Sequence, residues 1–354
     1  MSIKYKAHHL CFIIIMSIIL SESACQSAFP PLNLISTQLP LPTSTVAIRW
    51  KNLIEWADLG TGKGPVYSQA WSADGKWLVT SDYDKVRVWD GATFHEVGVL
   101  EGHTSFIWGV AWSPASGQTL LASASQDGSV RIWDVGTSAQ IASLETGWAF
   151  SVTWSPDGEY LAVGTYSGQV QVWDASAQEL LHTWKSPTRV PIISLGWSPD
   201  GNTIASGELQ GDINMWDTAS GEILQRLTGY TQERRDVNGV AWSPDGKILA
   251  SAHQDGKVRL WDTGTFGLIR TIRAHSGWAR GVVFSPNGHL LASTGEDKRI
   301  CLWDVATGQE YAEQHHNYLP VWSASWSPDG LYVTSGAGRY EQPHTGATIV
   351  WQVP

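Results

Sequence analysis

Cysteine is scarce in this sequence, with three residues among 354. Cys11 and Cys25 lie in the first 25 residues, and Cys301 is the only cysteine in the rest of the chain. Residues 26–354 therefore cannot form an internal disulfide or a thiolate metal site. Cys301 falls in a strand pattern, where a single cysteine is usually a small buried hydrophobic residue rather than a nucleophile.

Charged residues are also few, at 16% of the chain, and the formal net charge is −10. Proteins that bind nucleic acid usually present a basic stripe to the phosphates. No such stripe occurs in this sequence, so we do not expect nucleic acid as the main partner.

The short motifs of common catalytic and cofactor sites are absent as well. The sequence has no Gly-rich phosphate loop followed by a helix, no His-Glu-x-x-His, no Cys-x-x-Cys and no nucleophile elbow. Aspartates recur in Ser-Pro-Asp-Gly segments, at Asp157, Asp200, Asp245 and Asp329. Their position between two strands and beside glycine is typical of turn-forming residues rather than metal ligands. We therefore expect no enzyme, no cofactor and no metal site.

Residues 1–25 have the pattern of a targeting segment. A short basic start is followed by the apolar run Leu10–Leu20, which is the length of a signal-peptide hydrophobic region and short for a membrane span. The small residue before Cys25 resembles a bacterial lipoprotein cleavage box, which makes Cys25 a candidate for lipidation. Glu22 departs from that box, so ordinary cleavage after Ser23 and an uncleaved anchor stay open. We expect an exported protein, lipid-anchored or secreted, that contacts a membrane only through this end.

Residues 26–50 are predicted to be a linker. The segment is rich in proline, serine and threonine, and residues 26–46 contain no charged side chain. Such a composition favours an extended, semi-rigid spacer.

Tryptophan is abundant, with 21 residues, and thirteen of them mark a repeat. One marker, Trp-Asp, recurs every 40 to 45 residues and ends in a degenerate copy, Trp351-Gln352. The second marker is an aromatic residue that usually begins Trp-Ser-Pro-Asp-Gly. The Trp-Asp positions are Trp89, Trp133, Trp173, Trp216, Trp261 and Trp303, and the second positions are Trp71, Trp112, Trp154, Trp197, Trp242, Phe284 and Trp326. Both markers predict seven copies of one unit.

The segment Gly102–Asp134 shows what one unit contains. An alternating run, Phe106–Ser113, predicts an inner strand, and a turn cluster separates it from a small-residue strand, Leu120–Ser125. A tight turn leads to a third strand, Ser129–Trp133, and a fourth strand follows. Four strands per repeat is the unit of a β-propeller blade.

Residues 51–354 therefore resemble the WD-repeat family of seven-bladed β-propellers. The resemblance implies an all-β fold of four-stranded antiparallel blades. It also implies a buried tetrad of His, Ser or Thr, Asp and Trp in each blade. Two blades supply all four residues: His103, Ser123, Asp127 and Trp133 in the second, and His275, Ser293, Asp297 and Trp303 in the sixth.

The other blades depart from the tetrad. The fifth has Ser251, Asp255 and Trp261 but no clear histidine partner. The first has Thr80, Asp84 and Trp89 and also lacks a clear histidine. The third and fourth have Ser167 and Gln210 where aspartate is expected. We expect these blades to depend more on packing.

The last repeat lacks residues for an outer strand, because its third strand, Thr348–Val353, is followed only by Pro354. Asn52–Leu59 has strand character and no blade of its own. We expect this N-terminal strand to complete the last blade, which would hide a strand edge and join the two ends of the ring.

One end of the channel is predicted to carry a binding site. The positions six and four residues before the second marker should point toward the mouth of the channel. The candidate partner-binding residues there are Tyr67, Phe106, Trp108, Trp148, Phe150, Trp278, Arg280 and Trp322. A ring of aromatic side chains offers large contact area at low entropy cost. The alternative, that the rings only plug the funnel and pack on each other, stays open.

Two longer loops point to the same face. Gly336–Gly346 extends the second turn of the last repeat and carries Arg339 and Tyr340, which we add to the candidate site, while Gly229–Asp236 is longer by about three residues. We expect a monomeric, non-enzymatic scaffold that binds another protein or peptide. A glycan or small-molecule binder is the alternative, and a propeller enzyme using Asp236 and Glu341 is a third.

Overall fold

The computed structural model describes residues 51–60, 64–115, 119–209, 211–228, 236–316, 319–339 and 342–354. The predicted targeting segment with Cys25, the linker 26–50, residues 229–235, and Tyr340 with Glu341 lie outside the described residues. Within the described ranges, no helix is long and apolar enough to cross a membrane.

The described residues form seven four-stranded antiparallel sheets arranged in a ring, which confirms the predicted β-propeller. The inner strands of consecutive blades contact one another, and those of blades 7 and 1 close the circle. The second and third strands are almost wholly buried, as in Leu120–Ser125, because small and apolar residues there fit between adjacent blades. The outer strands alternate or are exposed, as in Ala139–Glu145.

The strand bounds follow the repeat closely. In chain order, from the channel outward, the strands are as follows: blade 1, Gln69–Trp71, Trp77–Asp82, Lys85–Asp90 and Glu96–Glu101; blade 2, Ile107–Trp112, Leu120–Ser125, Ser129–Asp134 and Ala139–Glu145; blade 3, Ala149–Trp154, Tyr160–Thr165, Gln169–Asp174 and Glu179–Lys185; blade 4, Ile192–Trp197, Thr203–Glu208, Ile213–Asp217 and Ile223–Leu227; blade 5, Val237–Trp242, Ile248–His253, Lys257–Asp262 and Leu268–Arg273; blade 6, Ala279–Phe284, Leu290–Gly295, Arg299–Asp304 and Glu310–His315; blade 7, Val321–Trp326, Tyr332–Arg339, Gln342–Gln352 and, from the N-terminal side, Ile54–Asp58.

The N-terminal strand completes the last blade, as predicted. Ile54–Asp58 pairs antiparallel with the third strand of blade 7, with Glu55 opposite Trp351. A second contact was not predicted: Lys51–Asn52 pairs in parallel with the outer strand of blade 6. Leu53, which is 2% exposed, is buried between these two short strands. One segment of the chain therefore joins blades 6 and 7.

The turns between first and second strands explain the recurring aspartates. In blade 3 the Ser155 hydroxyl donates to Asp157 Oδ1 at 2.5 Å, and the same carboxylate accepts from the Glu159 amide at 3.0 Å. Gly158 follows with a φ of +77°, a conformation that costs glycine little. Asp200, Asp245 and Asp329 make the same contacts in their blades.

Blade 7 differs from the expected long loop. The segment that we interpreted as an insertion continues the hairpin, since Gly336 pairs with Thr348 and Gly338 with Gly346. The second and third strands are consequently 8 and 11 residues long, whereas those of blade 2 have six. The added residues form a β-ribbon because glycine and alanine allow close approach of the chain that leads into blade 1; a Cβ on Gly346 would collide with the Gly64 carbonyl.

Candidate partner-binding mouth

The structure brings the predicted aromatic side chains together at the mouth, with Tyr67 at their centre. The Tyr67 ring lies 4.3 Å from Trp108 in a stacked arrangement, and 5.0 Å from Trp322 and 5.9 Å from Phe106 in edge contacts. The two edge contacts fall in the range in which aromatic pairs attract each other beyond their area burial, and the stacked pair is slightly closer.

The contacts continue through blades 2 and 3. Trp108 meets Phe150 at 5.4 Å, and Phe150 meets Trp148 at 5.3 Å. Trp148 stacks on Tyr166 at 4.5 Å with the ring planes 5° apart. Tyr166 was not among the predicted residues. The signal for it is its place in the turn after the second strand, where Tyr83 of blade 1 also touches an aromatic ring of the mouth, Phe106, at 4.6 Å.

At the other end, Arg280 lies between two tryptophans. Its guanidinium carbon is 4.4 Å from the Trp278 ring centre and 4.2 Å from that of Trp322, which allows a cation–π contact on each side. Burial lowers the pKa of Arg280, and its hydrogen-bonded ion pair with Glu296 opposes that shift. The arginine is therefore a fixed cation at the mouth.

We call this connected set the aromatic arc: Trp278, Arg280, Trp322, Tyr67, Tyr83, Phe106, Trp108, Phe150, Trp148 and Tyr166. Tyr67 is only 6% exposed, whereas the other predicted arc residues are half-buried. The centre of the arc is thus packed, and the flanking side chains are partly exposed.

The arc spans blades 6, 7, 1, 2 and 3 and stops at blades 4 and 5. The corresponding positions there hold Pro191, Ile193, Asp236 and Asn238. Asp236 is 3% exposed, and Asn238 donates a hydrogen bond to the Ala279 carbonyl at 2.8 Å. The mouth therefore has an aromatic side and a side without aromatic residues, which is aliphatic in blade 4 and polar in blade 5. Arg339, at the end of a blade 7 strand, is exposed.

Below the mouth, blades 2 and 6 form the tetrads that the family resemblance implies. His103 donates from Nδ1 to Asp127 at 2.8 Å, since the carboxylate can only accept, and its Nε2 lies 2.7 Å from the Ser123 hydroxyl. Trp133 donates to the same hydroxyl at 2.8 Å. Blade 6 repeats these contacts with His275, Ser293, Asp297 and Trp303 at 2.8 to 2.9 Å.

Blade 5 has a histidine that the sequence analysis missed. His253 lies on the second strand, and its Nε2 is 2.7 Å from the Ser251 hydroxyl, which also accepts from Trp261 at 2.8 Å. Burial and the nearby Arg259 charge lower the pKa of His253 to about 3. Asp255 instead binds Arg259 at 2.7 Å, and this contact outweighs burial and lowers the pKa of Asp255 to about 2.

Blade 4 places a carboxyl and an amide group on its second and third strands, and a loop threonine joins them. Trp216 donates to Ser206 at 2.8 Å, while Asn214 donates to the fully buried Glu208 at 2.5 Å. Thr188 donates to the other oxygen of that carboxyl group at 2.6 Å. Burial raises the pKa of Glu208.

Blades 1, 3 and 7 differ again. In blade 1, Trp89 donates to Thr80 at 3.0 Å, and Arg87 pairs with Asp82 at 2.8 Å. The expected Asp84 is only half-buried. In blade 3, Gln171 takes the place of the hydroxyl as acceptor for the repeat tryptophan, Trp173, at 3.1 Å.

Blade 7 buries a histidine from the loop before its inner strand. His316 is 2% exposed and faces the Trp351 ring. Burial lowers its pKa to about 4. Trp351 donates to Ser335 at 2.7 Å.

One group of described residues could in principle hold a metal ion. Cys301, Glu310 and Glu313 have ligand atoms within 4.8 Å of one another. Arg299 already binds this group, donating to Cys301 Sγ at 3.1 Å and pairing with Glu313. Burial and the Glu313 charge raise the pKa of Glu310 to about 7, and burial raises that of Cys301. A metal ion would have to displace the arginine.

Comparison with protein families gives matches along most of the propeller. A model described as WD domain, G-beta repeat, matches residues 57–90, 94–134, 266–304 and 309–339. A Vps8 beta-propeller model matches residues 151–243, and a model of the anaphase-promoting complex subunit 4 WD40 domain matches residues 225–278.

Curated relatives are similar over parts of the chain. Protein transport protein sec13 of Aspergillus clavatus is 32% identical over 133 residues, which are 34% of this chain and 45% of that protein. THO complex subunit 3 of Arabidopsis thaliana is 31% identical over 129 residues, 35% of this chain and 41% of that protein. Protein CIA1 of the same plant is 34% identical over 90 residues, 22% of this chain and 26% of that protein. The chain thus spans less than half the length of each of these relatives.

These relatives correct one prediction. They are intracellular proteins, so the predicted exported or lipid-anchored location is wrong. The apolar run Leu10–Leu20 and the cysteine after it were an insufficient basis for it, because a short apolar run before a small residue and a cysteine can occur without acting as an export signal. The repeat models, the relatives and the seven four-stranded blades together support the assignment of this chain to the WD-repeat family.

Proposed function

We propose that the protein is a non-enzymatic interaction scaffold that binds a segment of another protein across the aromatic arc. The observation that carries this proposal is the continuity of the arc over five neighbouring blades. Aromatic and arginine side chains dominate the binding energy of protein interfaces, and half-buried rings on a rigid scaffold lose little entropy on binding.

The residues of the aromatic arc have different roles in this proposal. Tyr67 is buried and touches three neighbours, so it supports the surface rather than contacting the partner. Trp148, Trp278 and the cation of Arg280 are at the flanks and are the contact residues that we propose. Arg339, at the end of a blade 7 strand, extends the same site. Tyr340 follows it in the sequence and stays a candidate contact residue.

The relatives and the polar groups of the mouth favour a scaffold over an enzyme. The names of the relatives include a protein transport protein and a complex subunit. Of the charged groups at the mouth, Arg280 and Glu296 neutralise each other in an ion pair, which leaves neither poised for proton transfer.

The test uses the full chain and a random peptide library displayed on phage. We expect enriched peptides whose affinity falls at least ten-fold in the double variant Trp148→Ala with Trp278→Ala, since each lost ring costs about 1–2 kcal/mol. The matched control is Trp56→Ala, because Trp56 is 53% exposed on the outer strand of blade 7. Equal binding by the double variant, or binding only to saccharides on a glycan array, would reject the proposal.

A further inference from the structure

One position on the second strand of each blade lies at the junction with the next blade. It is the residue just before the one that pairs with the repeat tryptophan. In six blades this residue is large and belongs to the same hydrophobic cluster as the aromatic residue that ends the next inner strand. In blade order the residues are Trp77, Leu120, Tyr160, Thr203, Ile248, Leu290 and Tyr332. Threonine, in blade 4, is the smallest of the seven.

The junction of blades 7 and 1 shows how a tyrosine fills this position. The Tyr332 ring lies 5.8 Å from Phe94 in an edge contact. Phe94 in turn meets Trp71, the end of the blade 1 inner strand, at 6.0 Å. All three belong to one hydrophobic cluster.

The junction of blades 4 and 5 has the equivalent phenylalanine and tryptophan but no tyrosine. Phe266 and Trp242 occupy the positions of Phe94 and Trp71, and the two phenylalanines share a left-handed φ of 58° and 59°. Thr203 stands where Tyr332 would be. A cavity of about 420 Å³ lies there, bounded by Thr203, Trp242, Phe266 and the buried Met215.

The rim of this cavity is charged. Asp200 and Asp245 are exposed, and Lys247 lies 3.5 Å from Asp245, which leaves an excess negative charge. Hydrogen bonds from Ser198 and Ser243 lower the pKa of the two carboxyl groups, so both are ionised at neutral pH. The lining of the cavity combines apolar walls with polar groups, and a concave site of this size with fixed polar groups is typical of a ligand site.

We propose that this cavity receives a tyrosine side chain of a partner protein, with lysine or arginine beside that tyrosine in the partner's sequence. The occupant follows from the fold itself, because the equivalent space of blade 7 holds a tyrosine ring. The flanking cations follow from the acidic rim. The cavity lies at the end of the inner strands opposite the aromatic arc, so it is a second site that does not depend on the function proposed for the mouth.

The probe is the peptide acetyl-Lys-Tyr-Lys-amide with a fluorine on the tyrosine ring, followed by fluorine NMR on the full chain. We expect saturable binding that falls at least ten-fold when the tyrosine is replaced by alanine or the lysines by glutamates. In the protein, Thr203→Tyr should abolish binding by filling the slot. This variant should fold, because blades 3 and 7 carry tyrosine at the same position.

The control variant is Leu290→Tyr, which introduces tyrosine at the equivalent position of blade 6. It should bind the peptide as the wild type does. Unfolding by urea checks that both variants are folded. The proposal is overturned if the wild type does not bind the peptide, or if Thr203→Tyr binds it with unchanged affinity.

Discussion

Blades 2 and 5 each surround a repeat tryptophan with a hydroxyl, an imidazole and a carboxylate, but they take the imidazole from different places. In blade 2, His103 comes from the loop before the inner strand and reaches Asp127 in the turn between the second and third strands. In blade 5, His253 comes from the second strand, and the carboxylate pairs with a cation on the third. The first arrangement fastens a loop to the blade, and the second lies within one hairpin.

The difference shows which part of the network is constant. The tryptophan donates to a serine or threonine in six blades, and only the groups behind that hydroxyl change. The replacements occupy two positions: two residues after the hydroxyl, and two residues before the tryptophan. Because side chains alternate along a strand, these positions face the same side as the hydroxyl and the indole. They hold Asp82 with Arg87, Glu208 with Asn214, and His253 with Arg259.

The largest expected effect breaks the blade 2 network. His103→Leu removes the donor that faces Asp127, whose side chain is 6% exposed. Leaving a buried carboxylate without this partner should lower the free energy of unfolding by about 2–4 kcal/mol. Urea unfolding of the full chain measures this change.

Two further variants test whether the loss of stability in His103→Leu comes from the carboxylate that has lost its imidazole donor. His95→Leu, at an exposed histidine of blade 1, should change stability by less than about 0.5 kcal/mol. Adding Asp127→Leu to His103→Leu should restore part of the loss, because the buried carboxylate is then removed together with its imidazole donor. A double variant less stable than the single one would contradict this account.

A smaller effect concerns pH. His253 and His316 have folded pKa values of about 3 and about 4, below the ordinary 6.5. As pH falls below 6.5, the unfolded chain takes up protons that the folded chain does not. Each histidine should therefore remove up to about 1.4 kcal/mol of stability per pH unit, beginning near pH 6.5.

Urea unfolding at pH 7, 6 and 5 measures that slope. His253→Leu should flatten it and leave the contribution of His316. The raised pKa values of Glu208 and of Glu310, the latter about 7, act in the opposite sense, because above pH 4.5 the folded chain holds protons that the unfolded chain has lost. The difference in slope between His253→Leu and the wild type therefore isolates the histidine. The aspartates with lowered pKa values contribute only below about pH 4. An unchanged slope in His253→Leu would show that its imidazole is protonated in the folded protein.

The ring of blades could be predicted because its markers are periodic and large. Seven aromatic residues at the end of the inner strands, with tryptophan at the end of the third strands, determine the blade count. The strand that closes blade 7 could be inferred from the missing outer strand. The parallel pairing of Lys51–Asn52 could not, because two residues carry no periodic pattern.

The networks were only partly predictable for a related reason. The family pattern has its histidine before the inner strand, whereas His253 lies on a second strand, where its sequence position resembles that of any other buried residue. Tyr166 likewise belongs to neither of the two repeated markers. The cavity beside Thr203 depends on the side-chain volume at a junction of two blades, which no single repeat contains.

The smallest effect returns to blade 5 at neutral pH. His253→Leu replaces a buried neutral imidazole with an apolar side chain of similar size, while Trp261 still donates to Ser251 and Asp255 keeps Arg259 and Lys257. Because Asp255 keeps both partners, the free energy of unfolding at pH 7 should fall by about 1 kcal/mol or less. This is well below the fall expected for His103→Leu. Equal losses in the two variants would mean that the imidazole matters equally in both places, and that the source of the histidine does not determine how strongly a blade is fastened.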